Sequence, residues 1–263
     1  MTNDIRICFF GESYLQGFGD TTGQGLPGRL TAHEAAHGRM VTAYNMAIRG
    51  ETVRDLARRW PAELAPRLAT MPRSDAALGL VFLFGTNDVS DNGLAQGLDL
   101  AAALDLAARL MAGVQGCWPV LWLSTPPPGG SGLDSRRVAI RALVDGHRRI
   151  AGRLAIPFID LWPALAGDAW RQAVADGPDG VHPAAAGHRL MAGAVVRHAA
   201  WPTFVSALES VCAGTASTTG PCATGPVATG PRATNPRATN SRATPVASAA
   251  AGPILTSHSG SSS

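Results

Sequence analysis

Five short apolar runs constrain this chain more than any other feature: Ile5–Phe10, Val41–Met46, Leu78–Phe84, Val120–Ser124 and Phe158–Leu161. Each ends in a polar or glycine-containing turn, and helical patterns lie between them. Leu78–Phe84 is apolar at every position, so both of its faces require cover, as in a central parallel strand sandwiched by helices. Thr52 stands where a helix cap belongs, ahead of Val53, Leu56, Ala57 and Trp60 at i, i+3, i+4 and i+7. Leu98–Met111 and Arg137–Leu154 repeat that spacing, and Pro183 falls in the first turn of a last helix running to Ala200. Alternation of this kind predicts an α/β fold: a three-layer α/β/α sandwich around a five-stranded parallel sheet.

The alternation stops near residue 212. From Thr219 the chain repeats in fives, TGPCA, TGPVA, TGPRA, TNPRA and TNSRA, with proline or asparagine and little apolar area in each copy. Such a segment cannot bury enough surface to offset its chain entropy. Residues 1–212 are therefore expected to form the folded domain and 213–263 a disordered tail, with a weak interaction arm as the alternative.

Charge narrows the chemistry. All 22 basic residues among the 263 are arginine, and the absence of lysine excludes a Walker A loop, a protein-kinase site and Schiff-base chemistry. Three arginines sit in the acid-free tail, which leaves 19 basic against 19 acidic residues in 1–212 and no footprint for nucleic acid. Four cysteines form no CxxC pair, Asp4 and Arg6 interrupt any signal-peptide core, and the run Ala76–Phe84 is far too short for a membrane span. A cytoplasmic location is expected.

In an open parallel sheet, ligands bind beyond the carboxyl ends of the strands. There stand Gly11-Glu12-Ser13 after the first run, Asn45 with Gly50-Glu51-Thr52 after the second, and Gly85-Thr86-Asn87-Asp88 after the third. Asp179-Gly180-Val181-His182-Pro183 follows the fifth. Together they supply a hydroxyl, a base with a carboxylate partner, and amide donors, the components of acyl transfer. Ser13 needs a neutral imidazole to take its proton, and His182 suits that task. Asp179, three residues earlier across a glycine, can reach back to Nδ1 and fix the tautomer. Backbone N–H groups of Ser13 and Gly50 and the Asn87 amide are the candidate oxyanion donors.

These four motifs, in this order, resemble the SGNH (GDSL-type) hydrolases over residues 5–200. The resemblance implies a flavodoxin-like sheet, Ser13 as nucleophile with Asp179 and His182 completing a triad, and Gly50 and Asn87 in the oxyanion hole. It further implies small-molecule esters or thioesters as substrates, with no metal and no organic cofactor. One position departs from the family pattern: Glu12 stands where aspartate is usual.

Competing motifs carry less. No G-x-S-x-G elbow surrounds Ser13, because position 15 is leucine. Gly17, Gly19 and Gly23 do not space as a dinucleotide fingerprint. His33-Glu34-Ala35-Ala36-His37 is an HExxH string, in which two imidazoles on one helical face and Glu34 as base would make a zinc metallohydrolase. Gly38 ends that helix at once and no third ligand is recognisable downstream, so a helix end whose histidines complement the dipole is the plainer reading. An inactive binding scaffold is a further alternative, disfavoured by the intact Ser13, Asp179 and His182. His147, His188 and His198 read as solvated or capping, Cys8 as core, and Asp88 as a loop hydrogen-bonder. Arg49 reads as solvent-facing, with binding of an acidic substrate group as its alternative. Five glycines between Tyr14 and Gly28 predict a mobile loop beside an open site for short or varied acyl groups.

Overall fold

The computed structural model describes residues 4–71, 76–129 and 134–214. Strands and helices alternate: β1 (Asp4–Gly11), α1 (Ser13–Gln16), α2 (Gly25–Ala36), β2 (Val41–Asn45), α3 (Val53–Ala69), β3 (Ala76–Leu83), α4 (Asp91–Ala95) and α5 (Leu100–Val114). Then come β4 (Val120–Leu123), α6 (Asp134–Arg153), β5 (Phe158–Ile159), α7 (Asp168–Ala175), α8 (Ala185–Arg197) and α9 (Ala200–Cys212). All five strands are parallel, in the order β2-β1-β3-β4-β5. The order reverses between β1 and β3, the switch point at which doubly wound sheets open a crevice.

The period-2 pleat of β1 sorts its side chains into two cores. Ile5, Ile7 and Phe9 join Leu26 and Leu30 of α2, Met191 and Val195 of α8, and Trp201, Phe204 and Leu208 of α9. Cys8 and Phe10 join Val53, Leu56, Ala57 and Trp60 of α3, with Leu110 and Met111 of α5. This is the three-layer sandwich the sequence predicts. Thr52 caps α3 in a capping box with Asp55, and Asp99 caps α5 by accepting the Ala102 N–H at 2.7 Å.

Three expectations are corrected. Pro183 lies ahead of α8, not inside its first turn, because the Ala184 N–H bonds across to the Ala173 carbonyl at 2.8 Å and the helix begins at Ala185. The final helix is two helices: the chain turns at His198, whose Nδ1 accepts the Ala200 N–H at 3.1 Å, and α9 continues to Cys212. The glycine-rich stretch 17–28 is folded. Gly17 (φ 97°) terminates α1, and a Cβ there would meet the Gly25 Cα at 2.8 Å. Asp20 pins the turn by accepting from the Thr22 N–H and hydroxyl, the Gly25 N–H and Arg29. Burial opposes its charge, but those four donors hold its carboxyl down at about 2.

Apart from 213–214, the expected tail lies outside the described residues. Among those described, no helix is long and apolar enough to cross a membrane.

Candidate active site

Gly11 closes β1 so tightly against β3 that a Cβ would sit 1.9 Å from the Leu83 carbonyl oxygen. The chain then turns through Glu12, and Ser13 opens α1 directly above the β1/β3 crevice. The His182 loop lies between α7 and α8 and is drawn to the same place by Tyr14, whose hydroxyl donates to the Val181 carbonyl at 3.0 Å. The result is a chain of hydrogen bonds: Ser13 Oγ to His182 Nε2 at 2.7 Å, and His182 Nδ1 to Asp179 Oδ2 at 2.7 Å. Asp179 Oδ1 accepts the backbone N–H groups of Val181 (3.0 Å) and His182 (2.8 Å). Partial burial favours its neutral form, but these donors and the imidazole win and hold its carboxyl below the usual range. An ionised Asp179 only accepts, so Nδ1 carries the ring proton and Nε2 offers its lone pair to the serine hydroxyl. Two aromatic rings fix the imidazole plane, Phe18 edge-on at 4.9 Å and Tyr14 tilted at 5.3 Å between centroids.

Ser13, Gly50, Asn87 and His182 line one cleft of about 570 Å³. The predicted site residues therefore converge. The Ser13 N–H makes no hydrogen bond among the described residues. Asn87 is different: its Nδ2 donates to Glu12 Oε2 at 2.9 Å and to the Glu51 carbonyl at 3.0 Å. An amide nitrogen has two hydrogens, so donation to a substrate oxyanion means exchanging one of these partners. Glu12 is the participant that sequence reasoning left without a role. Fully buried, it also accepts the Thr86 and Asn87 backbone N–H groups at 3.2 and 3.3 Å. Burial pushes its carboxyl up to about 7 against the pull of those bonds. The signal available was its place beside the nucleophile, one methylene longer than the family's aspartate.

Other expectations divide. Asp88 is the loop hydrogen-bonder anticipated: buried, it accepts the Val53 N–H at 2.7 Å and joins α3 to this loop. His147 and His188 are not solvated. His147 falls on the buried stripe of α6 with Ile140, Leu143, Val144, Ile150 and Ala151, its ring packed at a tilt against Trp122 and Phe84. His188 is buried too, and its Nε2 donates to the Phe18 carbonyl at 3.1 Å, bracing the ring that abuts His182.

The HExxH string is not assembled as a metal site. Glu34 points into the protein, where Oε1 accepts from Trp201 Nε1 at 2.7 Å and Oε2 pairs with Arg39 at 3.1 Å. Those donors occupy the carboxylate that would serve as base, while the tilted rings of His33 and His37 pack on each other at the helix end. No group of three or more metal-ligating side chains is gathered among the described residues.

Residues 9–190 match the sequence model of the GDSL-like lipase/acylhydrolase family. No curated protein matches the chain. Among solved structures, LAE5, an alpha/beta hydrolase enzyme from the metagenome of Lake Arreo, Spain, is 22% identical with a TM-score of 0.60, covering 78% of this chain and 98% of its own. The lipase/acylhydrolase from Enterococcus faecalis is 24% identical with a TM-score of 0.59, covering 73% and 93% respectively. Axe2, an acetylxylan esterase from Geobacillus stearothermophilus, is 21% identical with a TM-score of 0.60, covering 74% and 94%. At these identities the likeness is one of fold.

Proposed function

Because this chain belongs to the GDSL-like lipase/acylhydrolase family, hydrolases that act on esters, we propose that it cleaves carboxylic esters or thioesters through an acyl-enzyme formed on Ser13. The observation that carries this reading is the unbroken contact from Ser13 Oγ through both ring nitrogens of His182 to Asp179, 2.7 Å at each step. As Oγ bonds to the substrate carbonyl carbon, its proton passes to Nε2, and the carbonyl electrons move onto oxygen. Asp179 stabilises the resulting imidazolium without taking its proton. Collapse of the tetrahedral intermediate expels the alcohol or thiol, which takes the proton from Nε2. Water then attacks the acyl-enzyme with His182 again as base, releasing the acid and restoring the serine.

The Ser13 N–H is the readiest oxyanion donor, since it has no internal acceptor to surrender. Gly50 and Asn87 are the further donors of this reading, Asn87 by releasing Glu12 or Glu51. Short acyl groups suit the cleft, whose apolar lining among the described residues is confined to Val89, Ile140 and Val181.

Labelling the full chain with a fluorophosphonate and mapping the modified peptide tests the reading. Phosphonylation at Ser13, absent in Ser13→Ala and reduced at least a hundredfold in rate in His182→Ala, is the expected result. Labelling elsewhere, or none, overturns it.

A further inference from the structure

Arginine is the only cationic side chain of permanent charge in this protein, and several of the described arginines are held in close ion pairs. Arg6, Arg29, Arg39, Arg59, Arg141 and Arg148 each hold a carboxylate within 3.1 Å. Arg49 does not. On the loop between β2 and α3, next to Gly50, it makes no ion pair or hydrogen bond among the described residues. It packs instead on an aromatic face: Cζ lies 3.2 Å from the centroid of Phe18. Phe18 in turn meets His182 edge-on. A single ring thus separates an unpaired guanidinium from the imidazole that faces Ser13.

Arg49 and Arg136 both line the cleft that holds Ser13 and His182, and among the described residues that line it Asp91 is the one carboxylate. Asp91 does little to neutralise the pair. It is 4.0 Å from Arg136, at the outer limit of an ion pair, and its side chain is 94% exposed, where solvent screens the interaction. Among the described residues that line it, the cleft therefore carries more positive than negative charge. Guanidinium is weakly hydrated, and stacking on an aromatic face leaves the N–H fork free in the guanidinium's own plane. That fork matches the paired oxygens of a carboxylate or a phosphate.

Resting on the esterase reading above, we propose that Arg49, assisted by Arg136, forms an anion subsite, so that the substrates are esters bearing a carboxylate or phosphate beside the scissile group. The subsite acts on ground-state binding: it lowers KM for an anionic ester and leaves the chemistry at Ser13 to the triad.

The test compares mono-4-nitrophenyl glutarate with its uncharged methyl 4-nitrophenyl glutarate counterpart, using the full-length chain at low ionic strength. The expected kcat/KM ratio favours the anionic ester at least tenfold, with the difference in KM. Sodium chloride at about 0.5 M compresses the ratio, because screening weakens the pairing. Arg49→Met lowers the ratio at least fivefold, Arg49→Lys restores part of it as a point charge without the fork, and Arg136→Met lowers it less. Competitive inhibition by free glutarate and by inorganic phosphate, measured separately, identifies the preferred anion. A wild-type ratio of one or below overturns the subsite. So does a ratio unmoved by both Arg49→Met and Arg136→Met, which would leave Arg49 as a packing partner of Phe18. Failure of the esterase reading looks different: neither ester is turned over and Ser13 does not react with the fluorophosphonate.

Discussion

Asp179-Gly180-Val181-His182 and His33-Glu34-Ala35-Ala36-His37 both combine histidine with a carboxylate, and the fold uses these two strings in opposite ways. In Asp179-Gly180-Val181-His182 one carboxylate oxygen is held by backbone N–H groups, which sets its position, and the other is left for the imidazole. In His33-Glu34-Ala35-Ala36-His37 both oxygens of Glu34 go to structural donors from elsewhere in the chain, Trp201 and Arg39. Arg39 also pairs with Glu209 at 2.8 Å, so Glu34 and Arg39 tie the end of α2 to α9. His33 Nε2 comes only within 3.9 Å of Glu34 Oε1, too far for a hydrogen bond. The difference teaches that a carboxylate near a histidine acquires its role from what else claims its oxygens. Spacing along the chain nominates partners, whereas the donors that reach the carboxylate, backbone N–H groups in one case and Trp201 with Arg39 in the other, decide between them.

The largest expected effect breaks the first string. Asp179→Asn keeps an oxygen for the backbone N–H groups of Val181 and His182 but no longer stabilises the imidazolium or its tautomer. Turnover is expected to fall by roughly 10⁴-fold, while urea unfolding moves by less than about 1 kcal/mol, since this carboxylate is partly exposed. The second string shows the reverse. Glu34→Gln retains an acceptor for Trp201 and loses the charge paired with Arg39. A loss of about 2–4 kcal/mol in unfolding free energy is expected, with turnover per folded molecule within about twofold of wild type. Should Glu34→Gln abolish turnover in protein that remains folded, the contrast between the strings fails.

How far the sequence foretold this arrangement depends on the range of the interactions. Each strand is legible to within two residues, because apolar runs and period-2 burial are local. The capping of α3 by Thr52 is local too. Ser13, Asp179 and His182 are legible because the parallel topology collects strand ends on one edge, and short motifs mark them. What escaped depends on contacts between distant segments. Glu12 carries no local sign that its extra methylene reaches the Asn87 amide, 75 positions away. His147 sits in a stripe of apolar positions that spacing alone could have flagged, but its polar side chain argued for solvent. The break between α8 and α9 falls in an alanine-rich stretch with neither glycine nor a conventional cap, and Pro202, in the first turn of α9, was its one local mark.

The smallest expected effect returns to the HExxH string. If its imidazoles only finish the end of α2, replacing them removes a tilted ring pair, 4.4 Å between centroids, and the contact from His37 Nδ1 to the His33 carbonyl at 2.8 Å. Both groups lie toward solvent, where water replaces such bonds at little cost. The double variant His33→Ala/His37→Ala is therefore expected to change unfolding free energy by no more than about 0.5 kcal/mol. Ester turnover should stay within twofold, before and after dialysis against EDTA. Turnover that falls on chelation, returns with zinc and vanishes in the double variant would reverse the comparison. It would require Glu34 to leave Trp201 and Arg39 and turn outward, and the accompanying rise in Trp201 exposure is open to measurement by fluorescence quenching.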